Sequence, residues 1–180
     1  MIHELMENDH EALGELLQSL ESSFEEREAM RSFEVLDLFW ARLAVHIRAE
    51  NVRLFPAILA ARPEVFGTAL PRLQEVQSTI QQLRVDHNFF MDELSKAVRR
   101  LRQLVKADAY DEPKFVSELT RIQSQVNAVS VRLKSHNKVE EDRVYEWPGL
   151  AFSQSSLRTL QDLLTREIRN LPPRFRNPAF

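Results

Sequence analysis

Histidine occurs five times in the 180 residues, and four of the five fall at positions where an apolar seam would otherwise run unbroken. These are His10, His46, His87 and His136. Two glutamates follow at matching spacing, giving His46-x-x-x-Glu50 and His136-x-x-x-Glu140. In a helix, residues i and i+4 share a face and lie about 6 Å apart along the axis, so each pair presents an imidazole and a carboxylate in one direction. Taken alone, a seam histidine is most often a satisfied core residue, and a single His-x-x-x-Glu is an ordinary helical pair. One histidine on each of four helices, with two matching carboxylate pairs, is a different pattern. Burying four imidazoles and two carboxylates without partners costs several kcal/mol for each uncompensated charge, on the order of 3–5. A pair of metal ions removes that cost, and imidazole with carboxylate suits iron, zinc or manganese.

The elements that must position these residues are long helices. Only 3 Gly are present, and the 8 Pro fall mostly at candidate boundaries. Helix A carries Met6, His10, Leu13, Leu17, Leu20 and Phe24, and helix B carries Leu36, Phe39, Leu43, His46, Glu50 and Leu54. Helix C carries Leu73, Val76, Ile80, Leu83, His87, Phe90, Leu94, Val98 and Leu101, and helix D carries Leu119, Ile122, Val126, Val129, Leu133, His136, Glu140 and Val144. Steps of three and four define the inward stripe of an antiparallel, up-down-up-down four-helix bundle. With an A–B turn near residues 24–32, His10 precedes it by 14 residues and His46 follows it by 14, which sets them at one level. Across a C–D turn near 107–112 the counts are 20 and 24, an offset of one helical turn. Pro56, Pro63 and Gly67 mark the end of helix B, Pro71 suits the first turn of C, and Trp147-Pro148-Gly149 ends D. Two units are expected: a bundle over 1–148 and an extension over 149–180. The extension holds a short amphipathic helix, capped by Ser155 or Ser156 and striped by Leu157, Leu160, Leu164 and Ile168, before an irregular tail. That stripe must pack on its own bundle or on a second copy in a homodimer.

Composition narrows the chemistry further. There is no cysteine, which excludes disulfides, iron–sulfur clusters and thiolate zinc sites. A net charge of −3 with no basic block gives no footprint for nucleic acid. No apolar stretch approaches the roughly 18–20 residues of a membrane span, and the acidic start MIHELMENDH is unlike a signal, so a cytoplasmic location is the expectation.

The order His10, His46-Ile-Arg-Ala-Glu50-Asn-Val-Arg-Leu54-Phe55-Pro56, Asp86-His87 and His136-Asn-Lys-Val-Glu140-Glu141-Asp-Arg-Val-Tyr145 resembles the hemerythrin-like, or HHE cation-binding, domain. The resemblance spans about residues 1–148. It implies two non-haem iron ions with an oxo or hydroxo bridge, which bind dioxygen, nitric oxide or peroxide or report iron or redox state. By the same resemblance, His10, His46, His87 and His136 match the terminal imidazoles, and Glu50 and Glu140 match the bridging carboxylates. Two departures stand out. Met91 occupies the position of the further third-helix histidine of oxygen carriers, and Glu140 and Glu141 stand where those proteins have His-x-x-x-x-Asp. Open coordination positions follow, which points away from reversible oxygen carriage and towards redox chemistry or sensing. The alternative reading is a regulatory or interaction module in which the metal is structural. No separate acid–base constellation names a reaction. A ferritin-like arrangement of Glu-x-x-His pairs finds only Glu7-x-x-His10. His3 reads as a frayed terminal residue, and Tyr145 and Trp147 as core or rim packing. Asp9, Asp86 and Glu141 point about 100° from the seam and are at best outer partners of the ligands.

Overall fold

The computed structural model describes residues 1–106 and 112–175. Helices dominate, and among the described residues there is no β-strand, only an isolated bridge between Phe66 and Leu70. The four long helices are α1 (Ile2–Glu25), α2 (Ala29–Ala49), α4 (Leu73–Lys106) and α5 (Glu112–Val139). Their neighbours form a closed cycle: α1 packs on α2, α2 on α4, α4 on α5, and α5 on α1. Short helices α3 (Phe55–Leu59), α6 (Trp147–Ala151) and α7 (Gln154–Ile168) complete the set, with 3₁₀ turns at Pro63–Val65 and Pro173–Phe175. No helix among the described residues is long and apolar enough to cross a membrane.

The seam residues are buried as the three-and-four spacing requires, except Leu73, which is exposed at the first position of α4, and the core they build is divided. One apolar cluster holds Leu13, Leu20, Leu36, Phe39, Leu43, Phe90 and Leu133. The other holds Met6, Leu54, Phe55, Ile80, Leu83, Val144 and Leu164. Along α1, α4 and the α5 helix, the switch from one cluster to the other comes at His10, His87 and His136–Glu140; along α2 it comes beside His46 and Glu50. A polar layer thus lies across the middle of the molecule with apolar packing above and below it.

Several boundaries differ from those expected. The second helix does not stop at Pro56. It passes through a π turn, Glu50–Leu54, and resumes as α3 to Leu59. A second π turn, Glu140–Val144, follows α5 at the equivalent place in the other motif. In both, the amide five residues after the glutamate bonds to its carbonyl: Phe55 N–H to Glu50, Tyr145 N–H to Glu140. Such single wide turns inside helices concentrate at functional sites. Pro71 lies just outside α4 rather than in its first turn, and Ser153, not Ser155 or Ser156, caps α7 by accepting from the Ser156 amide at 3.3 Å. The C–D connection expected over 107–112 lies outside the described residues, save Glu112, which opens α5. The end of the tail, 176–180, also lies outside them.

Helix α7 packs on this same chain, against α2, α1 and the first π turn. Leu160 and Leu164 enter the second apolar cluster, and Glu167 bridges Arg53 (2.8 Å) and Arg48 (2.9 Å). Arg53 belongs to the π turn, so the last helix is bonded to the backbone segment that carries Glu50. Leu164 is fully buried, and Leu164→Ala is expected to lower unfolding free energy by about 2–4 kcal/mol, as large-to-small core changes do. Leu157→Ala, at a half-buried position on the same helix, is expected to cost well under half as much. Urea denaturation of the two variants measures the difference.

Candidate metal centre

All six singled-out residues meet in the polar layer. Their ligand atoms fall into two groups, each with atoms within 4.8 Å of one another: His10, His46, Glu50 and Glu140; and Glu50, His87, His136 and Glu140. Both carboxylates belong to both groups, and each is completely buried, at 0 % exposure. Imidazoles pair within a group, with His10 Nε2 and His46 Nε2 at 3.1 Å and His87 Nε2 and His136 Nε2 at 3.1 Å. The one-turn offset counted between His87 and His136 does not keep them apart.

Each imidazole is oriented from behind. His46 Nδ1–H donates to Asp9 (2.9 Å), His136 Nδ1–H to Asp86 (3.2 Å), His10 Nδ1–H to Glu141 (2.6 Å) and His87 Nδ1–H to the Asn51 side-chain oxygen (3.4 Å). Arg42 binds Asp9 at 2.8 Å, and Arg132 binds Asp86 at 2.6 Å. Asp9, Asp86 and Glu141 lie off the seam, as expected, and for that reason each meets the imidazole of a neighbouring helix rather than its own. Asn51 is an addition that its place beside Glu50 did not reveal. With Nδ1 engaged as donor, the neutral ring turns its Nε2 lone pair inward.

The donor set fits metal ions on two observations. Inward imidazole nitrogens 3.1 Å apart need a positive centre between them, a shared proton or a metal ion. Two ligand atoms each about 2.1 Å from one ion and roughly at right angles lie about 3 Å apart. Glu50 Oε2 and Glu140 Oε1 are buried with no hydrogen-bond partner. They stand 3.2 Å from His87 Nε2 and 3.1 Å from His136 Nε2, at angles that make no hydrogen bond.

Electrostatics follow from the same crowding. Burial alone would push the Glu140 carboxyl up, but His10, His136 and His87 outweigh it and hold it well below the usual carboxylate range. Burial and the Glu140 charge push Glu50 up, yet His46 and His87 leave it lowered. For His46, burial is overcome by Glu50 and Asp9, and its pKa rises well above the ordinary imidazole value. For His87, burial is overcome by Glu140 and Glu50, which lift it to about 9.

Tyr145 was expected to be packing and is instead part of the site. Buried, it places its hydroxyl 2.7 Å from Glu50 Oε1, 3.0 Å from His10 Nε2 and 3.2 Å from Glu140 Oε2. In a regular helix a residue five after Glu140 points about 140° away from it. The π turn brings residue i+5 back over residue i, which carries the phenol inward. The matching position after Glu50 is Phe55, whose ring stacks on His87 at 5.9 Å with an interplanar angle of 5°. Trp147 is core packing, as expected. His3 is not frayed: it lies in α1 and its Nδ1 bonds the Glu146 carboxylate, outside the six-residue cluster. Met91, one turn past His87, packs half-buried against the first apolar cluster.

An all-helical protein with two buried, carboxylate-sharing His/Glu groups that could bind metal is the class these observations define. The model of the hemerythrin HHE cation-binding domain matches residues 1–147, and the chain belongs to that family. No curated protein and no solved structure matches it.

Chelator-treated protein should show a defined pH window of stability. His46 and His87 have raised values in the fold, so their contribution is complete below about pH 6.5 and is lost as pH rises through the folded values, about 9 for His87. Glu50 and Glu140 have lowered values, so theirs is complete above about pH 4.5 and is lost as pH falls through the folded values. Thermal melts in the presence of chelator should therefore peak between these limits and decline steadily towards pH 9. A melting temperature that rises from pH 6.5 to 9 would contradict the assignment.

Proposed function

We propose that this chain is a di-iron protein in which His10, His46, His87 and His136 are terminal ligands and Glu50 and Glu140 bridge two ions. The single observation that carries the reading is that both fully buried carboxylates are shared between two imidazole pairs. The scaffold we assign is an antiparallel, up-down-up-down four-helix bundle over 1–148 with an extension over 149–180; the closed cycle of α1, α2, α4 and α5 supports it. Iron in such a nitrogen and oxygen set supplies one-electron redox change and open positions for a small ligand. The residues of the chain do the rest. Asp9, Asp86, Glu141 and Asn51 fix the imidazole rings, Arg42 and Arg132 hold two of those partners, and the apolar clusters above and below exclude water.

The small molecule handled is dioxygen, nitric oxide or peroxide, with redox chemistry or sensing as the role. Met91 is what favours this over oxygen carriage, because a thioether packed in the apolar cluster leaves the His87 side of the centre without a further imidazole. A regulatory module with a structural metal is the second reading, supported by the bonds from Glu167 to Arg48 and Arg53 that tie α7 to the π turn.

Anaerobically purified protein from iron-supplemented cells is expected to hold about two iron ions per chain. Mixing the ferrous form with oxygen should give oxidation within seconds to minutes rather than a persistent, reversible oxygen adduct. Elemental analysis showing only trace metal would remove the di-iron reading, and full occupancy by zinc with no optical response to oxygen would favour the structural one. Glu140→Ala is expected to lose most of the metal, whereas Glu141→Ala, which removes only the partner of His10 Nδ1, should retain it with affinity reduced by about 10–100-fold.

A further inference from the structure

The two metal-capable positions are not equivalent, and the difference lies in hydrogen bonds to the shared carboxylates. Glu50 and Glu140 each turn one oxygen towards His10 and His46 and the other towards His87 and His136. On the His10/His46 side, Glu50 Oε1 lies 3.5 Å from His46 Nε2, and Glu140 Oε2 lies 3.5 Å from His10 Nε2. Both of these oxygens lie within hydrogen-bond reach of the Tyr145 hydroxyl, at 2.7 and 3.2 Å, and His10 Nε2 is 3.0 Å from it. The phenol therefore contacts three of the four atoms that would surround an ion there. On the other side, the facing oxygens are Glu50 Oε2 and Glu140 Oε1, the two that have no hydrogen-bond partner. Among the described residues no group donates to them; Phe55 occupies the position that Tyr145 holds in the other motif, and its ring is parallel to that of His87.

We propose that Tyr145 sets an order of metal loading, in which the position formed by His87, His136, Glu50 Oε2 and Glu140 Oε1 binds its ion first and tightly, and the His10/His46 position binds second and weakly. This rests on the proposed metal centre and assigns its two halves. The physical reason is competition for lone pairs. An ion at the His87/His136 position meets carboxylate oxygens that no hydrogen bond engages, so binding there breaks only the contact between the two imidazoles, which has its counterpart between His10 and His46. An ion at the His10/His46 position must take Glu50 Oε1 from a hydrogen bond to a buried charged group, among the stronger kinds, and must displace the phenol from beside His10. Outside the centre, Tyr145 also forms part of the wall of a cavity of about 250 Å³ lined with Ile2, His3, Glu146, Leu157 and Arg158. At limiting metal, the protein then carries one ion, with Tyr145 still bonded to Glu50.

Anaerobic calorimetric titration of the full-length, chelator-treated chain with ferrous ion tests this directly. The wild type should give two resolved steps of one ion each. Tyr145→Phe, which keeps the ring and removes only the hydroxyl, should tighten the second step by on the order of tenfold or more and leave the first nearly unchanged. His10→Ala should abolish the second step and keep the first. A single unresolved step for two ions in the wild type would overturn the ordering, as would a gap unchanged in Tyr145→Phe. A second step weakened by Tyr145→Phe, with loss of a visible phenolate-to-ferric band on oxidation, would show the phenol to be a ligand and would overturn it too. Absence of any binding would remove the metal centre itself, an outcome distinct from two ions bound without order.

Discussion

Two carboxylates with no contact to solvent, each facing two imidazole pairs, are the constraint to which the rest of the structure answers. A charge buried in an apolar interior is costly unless something of opposite sign compensates it from close by. Here the compensation comes from four helices at once, and that requirement fixes their mutual rotation. If α1 or α4 turned by one residue, its histidine would leave the layer and Glu50 and Glu140 would lose a partner. The division of the apolar core into two clusters follows from the same demand, since the layer between them is given to ligand atoms and the groups that orient them.

The layer has depth as well as centre. Behind each imidazole stands an oxygen acceptor, and behind Asp9 and Asp86 stand Arg42 and Arg132, so a chain of bonds runs outward from imidazole through carboxylate to a partly exposed guanidinium. Burial of Asp9 would raise its pKa, but the pairing with His46 and Arg42 prevails and keeps the carboxylate ionised; Arg132 and His136 do the same for Asp86. An ionised acceptor at Nδ1 makes the imidazole a stronger donor of its Nε2 lone pair.

How much of this could be read from residues alone depends on how local each feature is. The four histidines and two glutamates were legible because i to i+4 spacing converts directly into a shared face, and the helical seams were legible for the same reason. The two π turns were not, because a count at 3.6 residues per turn assumes the regularity they break. Tyr145 was hidden by them, falling on the wrong side of an idealised helix. A signal was present: an aromatic residue sits five after the glutamate in both motifs, at Phe55 and Tyr145, and Pro56 stands inside a helix that continues beyond it. Asp9, Asp86 and Glu141 were correctly placed off the seam, but which imidazole each would meet depended on the packing of a neighbouring helix. The attachment of α7 through Glu167 to Arg48 and Arg53 likewise joins residues more than a hundred apart in sequence, where no local rule reaches.

The division of the metal-capable residues between helix pairs has a consequence for symmetry. The pair α1 and α2, with the turn that follows, supplies His10, His46 and Glu50; the pair α4 and α5, with its own turn, supplies His87, His136 and Glu140. Each helix pair thus brings both imidazoles of one metal-capable group and only one of the two carboxylates that group shares. One pair alone is half of the cluster, and the missing half is another of the same kind. Two identical helix pairs related by a twofold axis would bring together the same set of side chains that a single chain brings together here. A covalent connection between the halves frees each to diverge, and Phe55 opposite Tyr145 is a divergence that an exact homodimer of helix pairs could not hold.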